Sequence, residues 1–189
     1  KREIAHMVKH VANNCENSIW VKLCKESTGE ARDIFLGTCY ISPQKRSYNK
    51  KNKQGEKATD KGEGGISQNS LDTILEEAVT FSKRGEVILQ GDINARIGSE
   101  PDFLSKDKSD ESFGITNQDN NPPRNSEDKK VCERGSLLLD LCRSYDFRIA
   151  NGRKPGDIFG KFTSMQWNGS AVVDYVLTPA SILNKITKL

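Results

Sequence analysis

Gly91-Asp92-Ile93-Asn94-Ala95-Arg96-Ile97-Gly98 begins where the apolar run Val87-Ile88-Leu89 stops. A short apolar run closed by Gly and Asp reads as a buried strand running into a turn. Asp92 and Asn94 lie two residues apart, so both side chains point the same way past the strand end. In α/β folds such strand ends are where ligands bind. A carboxylate there is a hard ligand for magnesium, and it can orient or deprotonate a water. An amide beside it can hydrogen-bond a phosphate oxygen. The alternative is a plain strand-ending turn, because Gly, Asp and Asn all favour turns.

Upstream, Leu71, Ile74, Leu75, Ala78 and Val79 share one helical face; Asn69 or Ser70 is placed to cap that helix and Gly85 to end it. Before it, Ile4 to Val11, Ile19 to Cys24 and Ile34 to Ile41 read as strands, with Glu26 to Asp33 as the turn between the last two and Pro43 as a stop. Downstream, a helix is expected from Glu133 to Tyr145, with Leu137, Leu138, Leu141 and Cys142 on its inner face. Short strands follow at Phe147 to Ala150 and Phe162 to Trp167. Asn168-Gly169 signals a hairpin turn, with Ala171 to Leu177 as the paired strand. Two long polar loops are expected at about 44–68 and 99–130. The alternation of strands and helices predicts an α/β domain with helices packed outside β-sheets.

The 189 residues fit one domain with a sizeable core. Hydrophobic residues make up only 34%, and the mean hydropathy is -0.67. Most of that polarity falls in the two loops, so disorder of the whole chain is the poorer reading. The net charge of +3, from 29 Lys and Arg against 26 Asp and Glu, does not by itself mark a nucleic-acid binder. Cys15, Cys24, Cys39, Cys132 and Cys142 are odd in number and form no CxxC pair, which speaks for reduced thiols rather than a disulfide framework or zinc site. His6 and His10 are spaced as HxxxH but lack the intervening acid of a metalloprotease motif. No apolar run is long enough to span a membrane, and Lys1 to Val11 is too polar for a signal peptide. The expected location is therefore the nucleus or cytoplasm.

Three further residues carry candidate chemistry. Asp174 interrupts the apolar run Val172-Val173-Asp174-Tyr175-Val176-Leu177. Burying a carboxylate is costly unless it is paired, for instance with a histidine whose orientation it fixes; the alternative is an acid facing solvent on an edge strand. Tyr40, ending a strand just before Pro43, could touch a phosphate or be an ordinary half-buried sheet aromatic. Thr163 is by default a plain strand threonine.

The order of these segments resembles the endonuclease/exonuclease/phosphatase superfamily, in its LINE-type (non-LTR) retrotransposon branch. Gly37-Thr38-Cys39-Tyr40-Ile41-Ser42-Pro43 resembles the strand bearing that family's active-site tyrosine. Gly91 to Gly98 is similar to its GDFNAR-type motif. Gly135 to Cys142 with Arg148-Ile149-Ala150-Asn151-Gly152-Arg153 resembles its helix and following L-x-I-x-N-G stretch. Phe162-Thr163, then Gly169 to Leu177, resembles its F/Y-T and S-x-I-D-Y-I-L element. The resemblance implies a DNase I-like fold: two mixed β-sheets packed as a sandwich with helices outside, in four layers. It also implies magnesium-dependent hydrolysis of a phosphodiester, with manganese as a substitute. Tyr40 would contact the scissile phosphate, Asp92 would orient the attacking water and offer a metal ligand, and Asn94 would bind the phosphate. Asp174 would hold a catalytic histidine, and Thr163 would sit nearby. DNA is the implied substrate, and a reverse transcriptase region the implied neighbour in a full element.

The family's asparagine and metal-binding glutamate motifs, and its Ser-Asp-His motif, have no match in this sequence. The expectation is thus a single partial domain over 1–189, incomplete at both termini and inactive or nearly so as given. The alternatives are a non-catalytic nucleic-acid-binding module or functionless relic and, within the fold, a phosphatase acting on nucleotides, RNA or inositol phosphates. Cys132 stands where relatives often carry an asparagine, which leaves the local bonding of the second helix open.

Overall fold

The computed structural model describes residues 7–43, 64–104 and 122–189, with side chains from residue 70 onward in the second segment. Strands β1 (Val8–Val11), β2 (Ser18–Leu23), β3 (Asp33–Tyr40), β4 (Gly85–Asp92), β5 (Phe147–Ile149) and β8 (Asp174–Pro179) form a six-stranded sheet in the order β1-β2-β3-β4-β8-β5. Strands β6 (Ser164–Gln166) and β7 (Gly169–Ala171) form a separate two-stranded ribbon. The large sheet is mixed: β3 and β4 pair in parallel, and every other pairing is antiparallel. Parallel neighbours need a crossover, and helix α2 (Gly64–Ser82) lies within it. Helix α3 (Glu133–Tyr145) precedes β5, and single-turn helices α1 (Lys25–Thr28) and α4 (Ala180–Leu183) complete the set. The α/β class and the packing of helices against sheet follow the sequence reading.

Leu71, Ile74, Leu75, Ala78 and Phe81 on α2 are buried against the sheet residues Trp20, Phe35, Val87 and Leu89. Phe81 is the centre of an aromatic group. It stacks on Phe35 at 5.0 Å between ring centroids and meets Trp20 at 4.9 Å, tilted by 60°. Glu77, on the same helix, is buried and fully engaged: it accepts from the N–H groups of Asn14 and Cys15, the Ser18 hydroxyl and the Trp20 indole N–H.

Several sequence expectations shift. Helix α2 already includes Gly64 and has no start near Asn69 or Ser70, so 64–68 is helical rather than loop; 44–63 lies outside the described residues. The turn between β2 and β3 contains α1, which Gly29 ends in the left-handed conformation at φ 74°. Helix α3 buries Gly135, Leu138, Leu139 and Cys142, while Leu137 and Leu141 only flank the core. The hairpin turn falls on Trp167-Asn168, one residue before the Asn-Gly signal, because Gln166 pairs with Gly169. The stretch Ala171 to Leu177 is not one strand: Ala171 ends the ribbon and Asp174 starts β8 in the large sheet. Of the second expected loop, 105–121 lies outside the described residues. Its flanks are packed rather than solvated: Asp102, Arg124 and Asp128 are all buried. Asp102 forms a paired, fully buried bridge to Arg153 (2.7 Å on both oxygens) and accepts the Ile149 N–H. Arg153 also donates to Pro122 O, which ties both flanks to the end of β5.

No described helix is long and apolar enough to cross a membrane. Phe81→Ala is expected to cost about 3–5 kcal/mol, read as a lower denaturant midpoint at unchanged slope. Trp167→Ala, which removes a side chain 97% exposed on the ribbon, should stay within about 0.5 kcal/mol.

Candidate active site

The register of three strands assembles the site. Tyr40 on β3 is the parallel partner of Asp92 on β4, and Asp92 is the antiparallel partner of Asp174 on β8. The three residues therefore form one cross-strand row. Tyr40 is 55% exposed, more open than a half-buried sheet aromatic. Asp174 is half-buried on a strand flanked by β4 and β5, which rules out the edge-strand alternative. Beyond the last β5 pair, the Asn151 side chain takes over as neighbour: its Nδ2 donates to Asp174 O (3.4 Å) and its Oδ1 accepts the Val176 N–H (2.9 Å).

The chain turns sharply just past Asp92. Gly91 has φ 146°, and a Cβ there would meet Cys39 O at 2.0 Å, so only glycine fits between β3 and the motif. Asn94 adopts φ 50°, a left-handed conformation that Asn tolerates better than most residues. Its N–H donates to Asp92 Oδ1 (2.9 Å), and its Nδ2 donates to Ile41 O (2.9 Å). These bonds satisfy the turn reading of this motif and leave Asp92 and Asn94 side by side past the strand end. Asp92 itself closes the gap to β3, since the Ile41 N–H donates to Asp92 O at 2.8 Å. Thr163 joins the group from the ribbon side: its hydroxyl oxygen accepts the N–H groups of Val173 (3.0 Å) and Asp174 (3.2 Å). All five residues singled out in the sequence thus meet in one place.

Several residues beyond the five candidates hold this place together. Arg96 grips Asp128 with two bonds of 2.7 and 2.6 Å and also donates to Ser170 O on the ribbon. Burial alone would push the Asp128 carboxyl up, but the Arg96 guanidinium and the N–H groups of Lys130 and Val172 hold it below the usual carboxylate range. The Tyr175 hydroxyl lies 2.9 Å from Ala95 O and 2.7 Å from Val172 O, and burial pushes its pKa up. Cys132, at the start of α3, makes no side-chain cap bond to its helix; its thiol instead accepts the Arg96 N–H at 3.2 Å. Arg134 and Asn151 complete the set. An arginine in the first turn of a helix opposes the helix dipole, and that misfit is the sequence signal that marks Arg134. A cleft of about 660 Å³ opens beside the row, lined by Asn94, Arg96, Lys129, Lys130 and the ribbon residues Ser164 and Gln166.

Asp92 is pushed above the usual carboxylate range, first by burial and further by the charge of Asp174; the Asn94 bonds and the Arg134 charge act in the opposite direction. Such a pair suits a divalent cation. Magnesium is held by one or two carboxylates, with waters and substrate oxygens completing its shell. Asp92 fits that donor set, with Asp174 next to it. Among the described residues no group of three or more His, Cys, Asp or Glu side chains converges on one point. His10 lies exposed on β1, at the far edge of the sheet, and His6 lies outside the described residues.

The chain is similar in structure to the endonuclease domain of TRAS1, a telomere-specific non-LTR retrotransposon, with a TM-score of 0.51 and 17% identity. The match covers 95% of this chain and 59% of that one, so the chain spans about three-fifths of the length of that domain. No family model and no curated protein matches the sequence. At this identity the likeness establishes the fold, a DNase I-like α/β arrangement.

Because folding raises the Asp92 pKa, its ionised form opposes the fold. That cost is absent below the ordinary carboxylate pKa of about 3.9 and grows as pH rises through the raised value. Asp92→Asn, which keeps the acceptor for the Asn94 N–H, should therefore make the protein more stable than wild type at pH 7. The gain should vanish near pH 3. Thermal melts across this range would check it; a loss of stability at pH 7 would mean that the carboxylate serves the fold.

Proposed function

We propose that this chain carries the phosphate-engaging part of a phosphodiesterase site, of the type that nicks DNA in retrotransposons, with magnesium as its ion. The observation that carries the reading is the row Tyr40, Asp92, Asp174, joined at its end by Asn94 and Thr163. A nucleic-acid phosphodiester is favoured over a nucleotide, RNA-end or inositol phosphate by the likeness to a retrotransposon endonuclease domain.

Each side chain has a task its position allows. Tyr40, open to solvent, offers its hydroxyl to a phosphate oxygen. Asp92, desolvated and placed at the strand end, orients a water for in-line attack and draws its proton. Asn94 uses one amide N–H on Ile41 O and keeps the second for phosphate. In this reading Asp174 accepts the ring N–H of a histidine and fixes its orientation. Thr163 positions Asp174 through its backbone N–H. When bound, magnesium supplies neutralising charge at the phosphate and polarises the water. Histidine acid–base catalysis contributes about 10²–10⁴-fold. The described histidine is on β1, so the nicking expected of this chain is weak. A non-catalytic nucleic-acid-binding module is the second reading, favoured by Lys129 and Lys130 on the cleft beside Asn94.

A supercoiled-plasmid assay on the purified chain separates these readings. Slow conversion to open circles with magnesium, abolished by EDTA and by Asp92→Ala, is the expected result. Nicking that survives in Asp92→Ala would remove the assigned roles. Salt-dependent DNA binding with no nicking by a folded sample would carry the binding-module reading instead.

A further inference from the structure

Arg134 is 3% exposed, lies in the first turn of α3, and turns its guanidinium away from its own helix. Its Nη1 group donates to three backbone carbonyls: Ser42 O at 2.9 Å, Ile93 O at 3.3 Å and Asn94 O at 3.3 Å. The first belongs to the segment that follows Tyr40, and the other two to the turn that follows Asp92. Helix α3 is brought close enough for this reach by Gly135, where a Cβ would meet Arg96 O at 1.9 Å, and by the Cys132 N–H, which donates to Arg96 O at 2.9 Å. One side chain from a helix thus bridges the two chain segments that leave adjacent parallel strands.

We propose that Arg134 is a positioning residue, holding the segment after Tyr40 and the Asp92–Asn94 turn in one fixed frame so that the two present their side chains to the same phosphate. The inference rests on the phosphodiesterase reading above. Without the bridge, the segments stay joined by the Asn94 amide on Ile41 O and the Ile41 N–H on Asp92 O, bonds that permit small relative shifts. Displacing reacting groups by about 1 Å can cost about 10²-fold in rate.

The test compares Arg134→Gln and Arg134→Lys with Leu139→Ala, a truncation of a buried side chain on the same helix. Nicking is measured per folded molecule with magnesium. Arg134→Gln is expected to lower kcat about 10²-fold with KM for duplex DNA unchanged. Arg134→Lys, which keeps charge and donors, should recover part of that loss, and Leu139→Ala should keep the parent kcat. Parent kcat in Arg134→Gln, or an equal loss in Leu139→Ala, would overturn the inference. If the parent chain itself does not nick, the phosphodiesterase reading fails separately, and amide exchange decides the role of Arg134. Exchange at Ile41 and Asn94 should then be about tenfold faster in Arg134→Gln, but not in Leu139→Ala; unchanged protection would refute the bridge.

Discussion

The parallel pairing of β3 with β4 is the constraint on which the rest depends. It runs over eight consecutive residues, from Asp33 against Gly85 to Tyr40 against Asp92. A slip of one residue would reverse the faces of every side chain on β4 and turn Asp92 to the face on which Leu89 now packs. Two features oppose that slip. Phe35 is fixed on one side by its stack with Phe81, and Gly91 is fixed at the other end by the close approach of Cys39 O. The core and the candidate site are thus held in register by the same ladder, the core at its start and the site at its end.

Charged groups inside the molecule act mainly on backbone. Glu77 gathers the segment before β2, Arg134 joins two loop exits, and Arg96 with Asp128 ties the motif loop to the ribbon. Burying a charge is costly unless it is paired or hydrogen-bonded, so each such group specifies one loop path more strongly than an apolar contact would. This suits a site whose residues come from strand ends and turns rather than from the strands' centres.

Much of this was legible in the sequence, because the decisive elements are short and strongly marked. The limits of α3, Glu133 to Tyr145, coincide with the reading from apolar spacing, β3 falls within one residue of its expected limits, and β4 contains its expected run and extends it by two residues at the start and three at the end. The five candidate residues proved to be neighbours because a motif at a strand end stays at a strand end after folding. The failures have physical causes. Gly64 and Gly65 are poor helix formers, yet α2 includes them. Ala171 to Leu177 is apolar apart from Asp174, and nothing in its pattern shows that it crosses from one sheet to another. The Asn-Gly turn rule lost to the register set by Gln166 and Gly169. Arg134 was not among the candidates because its acceptors are carbonyls, which every residue has; only its place in the first turn of a helix, against the dipole, sets it apart.

The bridge between Asp102 and Arg153 has a mechanical corollary. It anchors the chain just before position 105, while Arg153 holds Pro122 on the other side. One guanidinium thus rivets both flanks to the end of β5, so their loosening is a single event rather than two: any change that frees the Arg153 side chain releases them together.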